Sequence, residues 1–89
     1  MTYEGYIKEA KKTGSEYELP SYYRFIMDDQ VLTPEEISSA IGVHTETVRR
    51  WCRDGKIRSE SFGHYRIKGI ELKKFLFEKD KRKFLKRGR

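Results

Sequence analysis

Between Thr45 and Arg53 the chain gathers Arg49, Arg50 and Arg53, one carboxylate (Glu46) and two hydroxyls (Thr45, Thr47). These groups suit the edges of base pairs. An arginine forks onto guanine, a carboxylate accepts from the cytosine amino group, and threonine bonds a base or meets the thymine methyl. At about 100° per residue, Val48, Trp51 and Cys52 share one face of a helix. Glu46, Arg50 and Arg53 take the opposite face, Arg49 lies at its flank, and Thr45 and Thr47 stand near the N-terminal end, where phosphate is favoured. An ordinary solvated face has a similar makeup, and Glu46 early in a helix also suits the helix dipole.

Other reactive residue types have quieter readings. Trp51, beside Val48, reads as core rather than as a platform for stacked bases. Cys52 reads as a small core residue. As the single cysteine it excludes an internal disulfide and a cysteine-rich zinc site, and the expected setting is reducing and cytoplasmic. His44 and His64 lack metal-ligand spacing; His44 is expected to cap or flank a helix. No nucleophile–base pair, carboxylate pair or glycine loop for phosphate is visible. The expectation is therefore no enzyme, no metal and no cofactor.

Positioning the 45–53 face requires a second helix against its inner side. Thr33-Pro34-Glu35-Glu36 is a helix start: Thr33 can cap, Pro34 suits the first position, and Glu36 completes a capping box. That helix carries Ile37 and Ile41 and ends at Gly42, a residue that tolerates positive φ. Two helices joined by so tight a turn cross closely. Ser38 is the small residue at the crossing, and Ile37, Ile41, Val43, Val48 and Trp51 line it. After Asp54-Gly55 the pattern turns strand-like through Phe62, reverses at Gly63-His64 and returns along Tyr65-Arg66-Ile67. A two-stranded wing is expected, with Lys56, Arg58, His64, Arg66 and Lys68 on or near it. Arg66 either contacts a nucleic acid or pairs with Glu60 across the strands. From about Gly69, the residues Ile70, Leu72, Phe75 and Leu76 suggest a last amphipathic helix. The fold class is mainly α with a small β-hairpin, a winged helix-turn-helix with an N-terminal helical extension.

The flanks divide the 89 residues into a leader (1–30), the winged unit (31–78) and a basic tail (79–89). The leader has helical stripes at Tyr3, Tyr6, Ile7 and Ala10, a stop at Thr13-Gly14-Ser15, and a second stretch with Tyr22, Tyr23, Ile26 and Met27 on one face. Net charge is −2 over residues 1–31 and +8 over the rest, an asymmetry that suggests a nucleic-acid partner. The tail could add phosphate contacts or stay solvated. Phe84 and Leu85 could dock on the leader or on a second copy. No apolar run is long enough to span a membrane, and no signal peptide is expected.

Residues 32–76 resemble the excisionase group of the MerR-like winged-helix superfamily. The resemblance lies in Leu32-Thr33-x-x-Glu36, Ile41-Gly42-Val43, Thr47-Val48-Arg49-Arg50-Trp51, Asp54-Gly55-Lys56-Ile57 and Gly63-His64-Tyr65-Arg66-Ile67. It implies base contacts from Thr45, Glu46 and Arg50, and backbone or groove contacts from Arg49, Arg53, His64 and Arg66. Gly69 departs from it, since a polar helix-starting residue is usual there. The leader has no counterpart. The implied function is sequence-specific binding of double-stranded DNA, as an excisionase or small transcriptional regulator of a phage or mobile element, cytoplasmic and nucleoid-associated. An integrase, a polymerase or further copies on DNA are the possible protein partners. The alternative is a DNA-binding assembly adaptor, such as a phage terminase small subunit or chromosome-anchoring protein. Basic charge alone also admits RNA, although helix-turn-helix spacing favours duplex DNA.

Overall fold

The structure, a computed structural model, describes residues 2–14 and 20–85, without the side chains of 61, 62 and 81–85. Phe84, Leu85 and the end of the basic tail thus lie outside the described side chains.

Helix α1 (Tyr3–Thr13) is capped by the Thr2 hydroxyl, which accepts from the Gly5 N–H at 3.1 Å, and it ends on left-handed Gly14. Helix α2 covers only Tyr22–Phe25. The expected stretch through Met27 stops early because Ile26 is extended and the following carbonyls are recruited elsewhere. Strand β1 (Val31–Leu32) leads into helix α3 (Pro34–Ile41), and helix α4 (Thr45–Arg53) follows. Strands β2 (Glu60–Phe62) and β3 (His64–Lys68) form the hairpin, and helix α5 (Gly69–Leu85) closes the order.

The hairpin is antiparallel, and Phe62 faces His64 across Gly63, whose φ is 77°. The sheet has one strand more than expected. β1 pairs antiparallel with β3, Val31 opposite Lys68 and Leu32 opposite Ile67, giving the order β1-β3-β2. A two-residue strand has no periodicity of its own; its pairing is purely tertiary.

Ile37, Val48, Ile67, Leu72 and Phe77 are fully enclosed, and Trp51 and Cys52 are buried with them. Trp51 lies against Phe75 with ring centroids 4.8 Å apart, the geometry of a packed aromatic pair. The leader joins this same core through Tyr3, Tyr23 and Ile26. Tyr3 stacks on Tyr23 at 5.8 Å and meets Phe77 edge-on at 5.9 Å. Its acids face α5: Glu4 pairs with Lys74 at 3.0 Å, and Asp28 with the buried Lys73 at 2.7 Å. Lys74 draws the Glu4 carboxyl below its ordinary range.

Gly69 explains its own departure. A Cβ built there would stand 2.0 Å from the Met27 carbonyl oxygen and 2.9 Å from the Ile26 side chain. The chain at 26–30 lies directly over the start of α5. The Gly69 N–H donates to the Gln30 carbonyl at 2.7 Å, and the Ile70 N–H to the Asp28 carbonyl at 3.0 Å. Backbone carbonyls thus satisfy helix-end donors that a side chain would otherwise cap.

Candidate nucleic-acid interface

The turn between α3 and α4 is built from local rules. Thr33 accepts from the Glu36 N–H at 3.2 Å and its own N–H donates to Glu36 Oε1 at 2.9 Å, a complete capping box. Gly42 takes the left-handed conformation, φ 75°, and its N–H returns to the Ser38 carbonyl. The Ser38 hydroxyl donates to the Val43 carbonyl. Ser38 therefore does more than leave room at the crossing: it ties the first helix to the far side of the turn. His44 occupies the N-cap of α4, yet its side chain makes no capping bond; its carbonyl accepts from Thr47 and Val48. At the other end Gly55 turns with φ 73°, and the Lys56 and Ile57 N–H groups close on the Trp51 carbonyl.

These constraints fix which face of α4 is presented. Val48, Trp51 and Cys52 are buried, and burial pushes the Cys52 thiol up from its ordinary value. Glu46, Arg49, Arg50 and Arg53 are exposed, with Thr45 and Thr47 half-buried. The three arginines are not equivalent. Arg49 pairs with Glu35 of α3 and lies 3.9 Å from Glu46. Arg53 lies 3.6 Å from the other oxygen of Glu46. Arg50 has no carboxylate within 4.0 Å among the described residues. Its guanidinium has all five donors to offer.

The wing residues separate into two groups. His64, at the hairpin tip, lines a groove with Gly63, Arg49, Thr33 and Glu35, so the tip and α4 flank one depression. Arg58, Arg66 and Lys68 line a different depression, together with Glu60, Glu71 and Val31. No residue lines both. Along β3 the exposed residues His64, Arg66 and Lys68 alternate with half-buried Tyr65 and buried Ile67, as the two-residue period of a strand requires. Arg66 stands opposite Glu60 in the strand register, but no ion pair within 4.0 Å joins them among the described residues.

Glu35, beside Arg49 in the candidate interface, was not singled out by sequence reasoning. A carboxylate in a first helical turn reads as a partner of the helix dipole. Its contact with Arg49 spans 14 positions and exists only once the two helices cross.

The helix-turn-helix domain family matches residues 31–79, more than half of the chain, and the chain belongs to that family. It is a winged, DNA-binding helix-turn-helix. No curated protein and no solved structure matches it. No helix among the described residues is long and apolar enough to cross a membrane.

Proposed function

We propose that this protein binds double-stranded DNA at specific sequences, with α4 in the major groove and the wing against the neighbouring groove or backbone. It acts by binding rather than by catalysis, as an excisionase or a small transcriptional regulator. The observation that carries this reading is Arg50. It is an exposed guanidinium, without an ion-pair partner among the described residues, in the middle of a helix whose opposite face is locked into the core. Thr45 and Glu46 join it as base-contacting residues. Arg49, Arg53, His64 and Arg66 serve the backbone or groove, with Arg58 and Lys68 adding positive charge along the wing. The resemblance to excisionases supports the choice between roles and extends to recruitment of an integrase or of further copies.

The test begins with selection of preferred sites from a random duplex pool, followed by binding titrations on selected and random duplexes at rising salt. Arg50→Ala should cost about 1–3 kcal/mol on the selected site and relax the preference at one base pair. An enriched pool that shows no consensus, or an unchanged preference in Arg50→Ala, would reject the assignment.

The adaptor reading draws on a separate observation: Phe25 and Met27 of the leader stand 57% and 63% exposed. Phe25→Ser with Met27→Ser should leave DNA binding intact. If the pair instead abolishes a biological function, the leader carries the essential protein contact.

A further inference from the structure

The two acids on the presented face are placed against arginines and not scattered. Glu35 reaches from α3 to the Arg49 guanidinium, and Glu46 sits between Arg49 and Arg53 on α4. All four side chains are about half exposed, so the pairs are open to exchange with a nucleic-acid ligand. A phosphate that approaches Arg49 must displace a carboxylate already there, and it meets the repulsion of that carboxylate while doing so. The penalty falls on any docking that brings a phosphate to Arg49, the mode by which random duplex is held; where Arg50's base contacts fix a register in which Arg49 meets the groove instead, it is not incurred. Base contacts made by Arg50 do not incur it, since no carboxylate among the described residues holds that side chain. The field of the face is therefore attenuated at Arg49 and Arg53 and left at full strength at Arg50, the arginine assigned to base reading.

We infer that Glu35 is a specificity-determining residue. It holds Arg49 away from the phosphate backbone on random duplex and so widens the gap between specific and non-specific binding. The inference rests on the DNA-binding reading above. Glu35 acts through Arg49 and is a positioning residue; nothing requires it to touch DNA.

The experiment compares wild type, Glu35→Gln, Arg49→Gln and the double variant by fluorescence anisotropy, on a selected duplex and on a random duplex, across a salt series. Circular dichroism melts establish that each variant is folded; the exposed Glu35 lies outside the capping box, so Gln is expected to be tolerated. Glu35→Gln should tighten binding to random duplex by about five- to tenfold and to the selected duplex by clearly less. It should steepen the salt dependence by about one released counterion, the signature of one more phosphate contact. Glu35→Asp should recover part of the wild-type discrimination. In the Arg49→Gln background the gain from Glu35→Gln should shrink by at least half. An equal gain in both backgrounds would mean that only net charge matters, and the inference fails. It also fails if Glu35→Gln weakens both duplexes alike or changes neither. If wild type itself binds no duplex, the DNA-binding reading falls first, and that result is read from the wild-type titration alone.

Discussion

At Gly69, a single hydrogen in place of a side chain decides how two segments meet. Glycine there admits the backbone of Met27 to a distance that no Cβ permits. Gly69→Ala would normally favour a helix, because alanine has the highest helix propensity. Here the built Cβ meets a backbone carbonyl, which yields far less readily than a side-chain tip. The substitution should therefore destabilise the protein by about 1–3 kcal/mol, as overpacking does. A lower urea midpoint with an unchanged denaturant slope is the expected observation, and a midpoint at or above wild type would contradict it. Arg49 teaches a related lesson at this scale. Its position on α4 was readable from helical angles, because the angles depend only on local geometry. Its pairing with Glu35 was not, because helix crossing creates it.

At the scale of elements, α3 and α4 were legible because their signals are local. Thr33, Pro34 and Glu36 set the start of α3, Gly42 sets its end, and the structure uses each as expected. Thr33→Ala removes the side-chain acceptor of the capping box and leaves the Glu36 N–H without its partner. The expected cost is about 1 kcal/mol, measured as a thermal or urea shift. Since the cap acts through the stability of α3, DNA affinity should fall only in proportion to the unfolded fraction. A large affinity loss in fully folded Thr33→Ala would show that Thr33 itself takes part in binding. The elements that escaped the sequence are those held by distant partners. β1 exists through Ile67 and Lys68. α2 ends early: the Gln30 side chain accepts from the Met27 N–H, and the Asp28 and Gln30 carbonyls serve α5. Helical spacing of apolar residues at 22, 23, 26 and 27 could not reveal those tertiary claims on the backbone.

On the scale of the whole molecule, the leader is part of the core and its tyrosines give the fold a pH signature. Tyr3 is pushed up to about 12, first by burial and then by the carboxylates of Asp28 and Glu4. Tyr23 is raised as well, again mainly by burial. An unfolded tyrosine ionises near pH ~10. Above that pH the folded chain holds protons that the unfolded chain has lost, so stability falls as pH rises. Below it, both states keep their phenolic protons and these groups contribute no pH dependence. Loss of stability should thus begin near pH ~10 and continue to about 12 for Tyr3, and beyond for Tyr23. Tyr3→Phe should flatten the alkaline limb of a plot of urea midpoint against pH. An alkaline limb as steep as that of wild type would show that Tyr3 does not titrate with folding. The leader's aromatic stripes allow two readings from sequence, an extension of the small core or a contact with another protein; the structure places Tyr3, Tyr23 and Ile26 in the core, and only the surface they meet was unreadable, because amphipathic spacing does not name it.

The carbonyls above α5 also bear on how such domains can be exchanged between proteins. The family match begins at residue 31, while the groups that satisfy the first N–H donors of α5 belong to residues 28 and 30. A boundary drawn by homology therefore cuts through a shared helix end. Residue 69 and the segment before residue 31 form one structural unit here: the glycine admits the overlying backbone, and that backbone satisfies the helix end. A transplanted winged unit should carry both halves of one solution, since a mixture leaves either a collision or an uncapped helix.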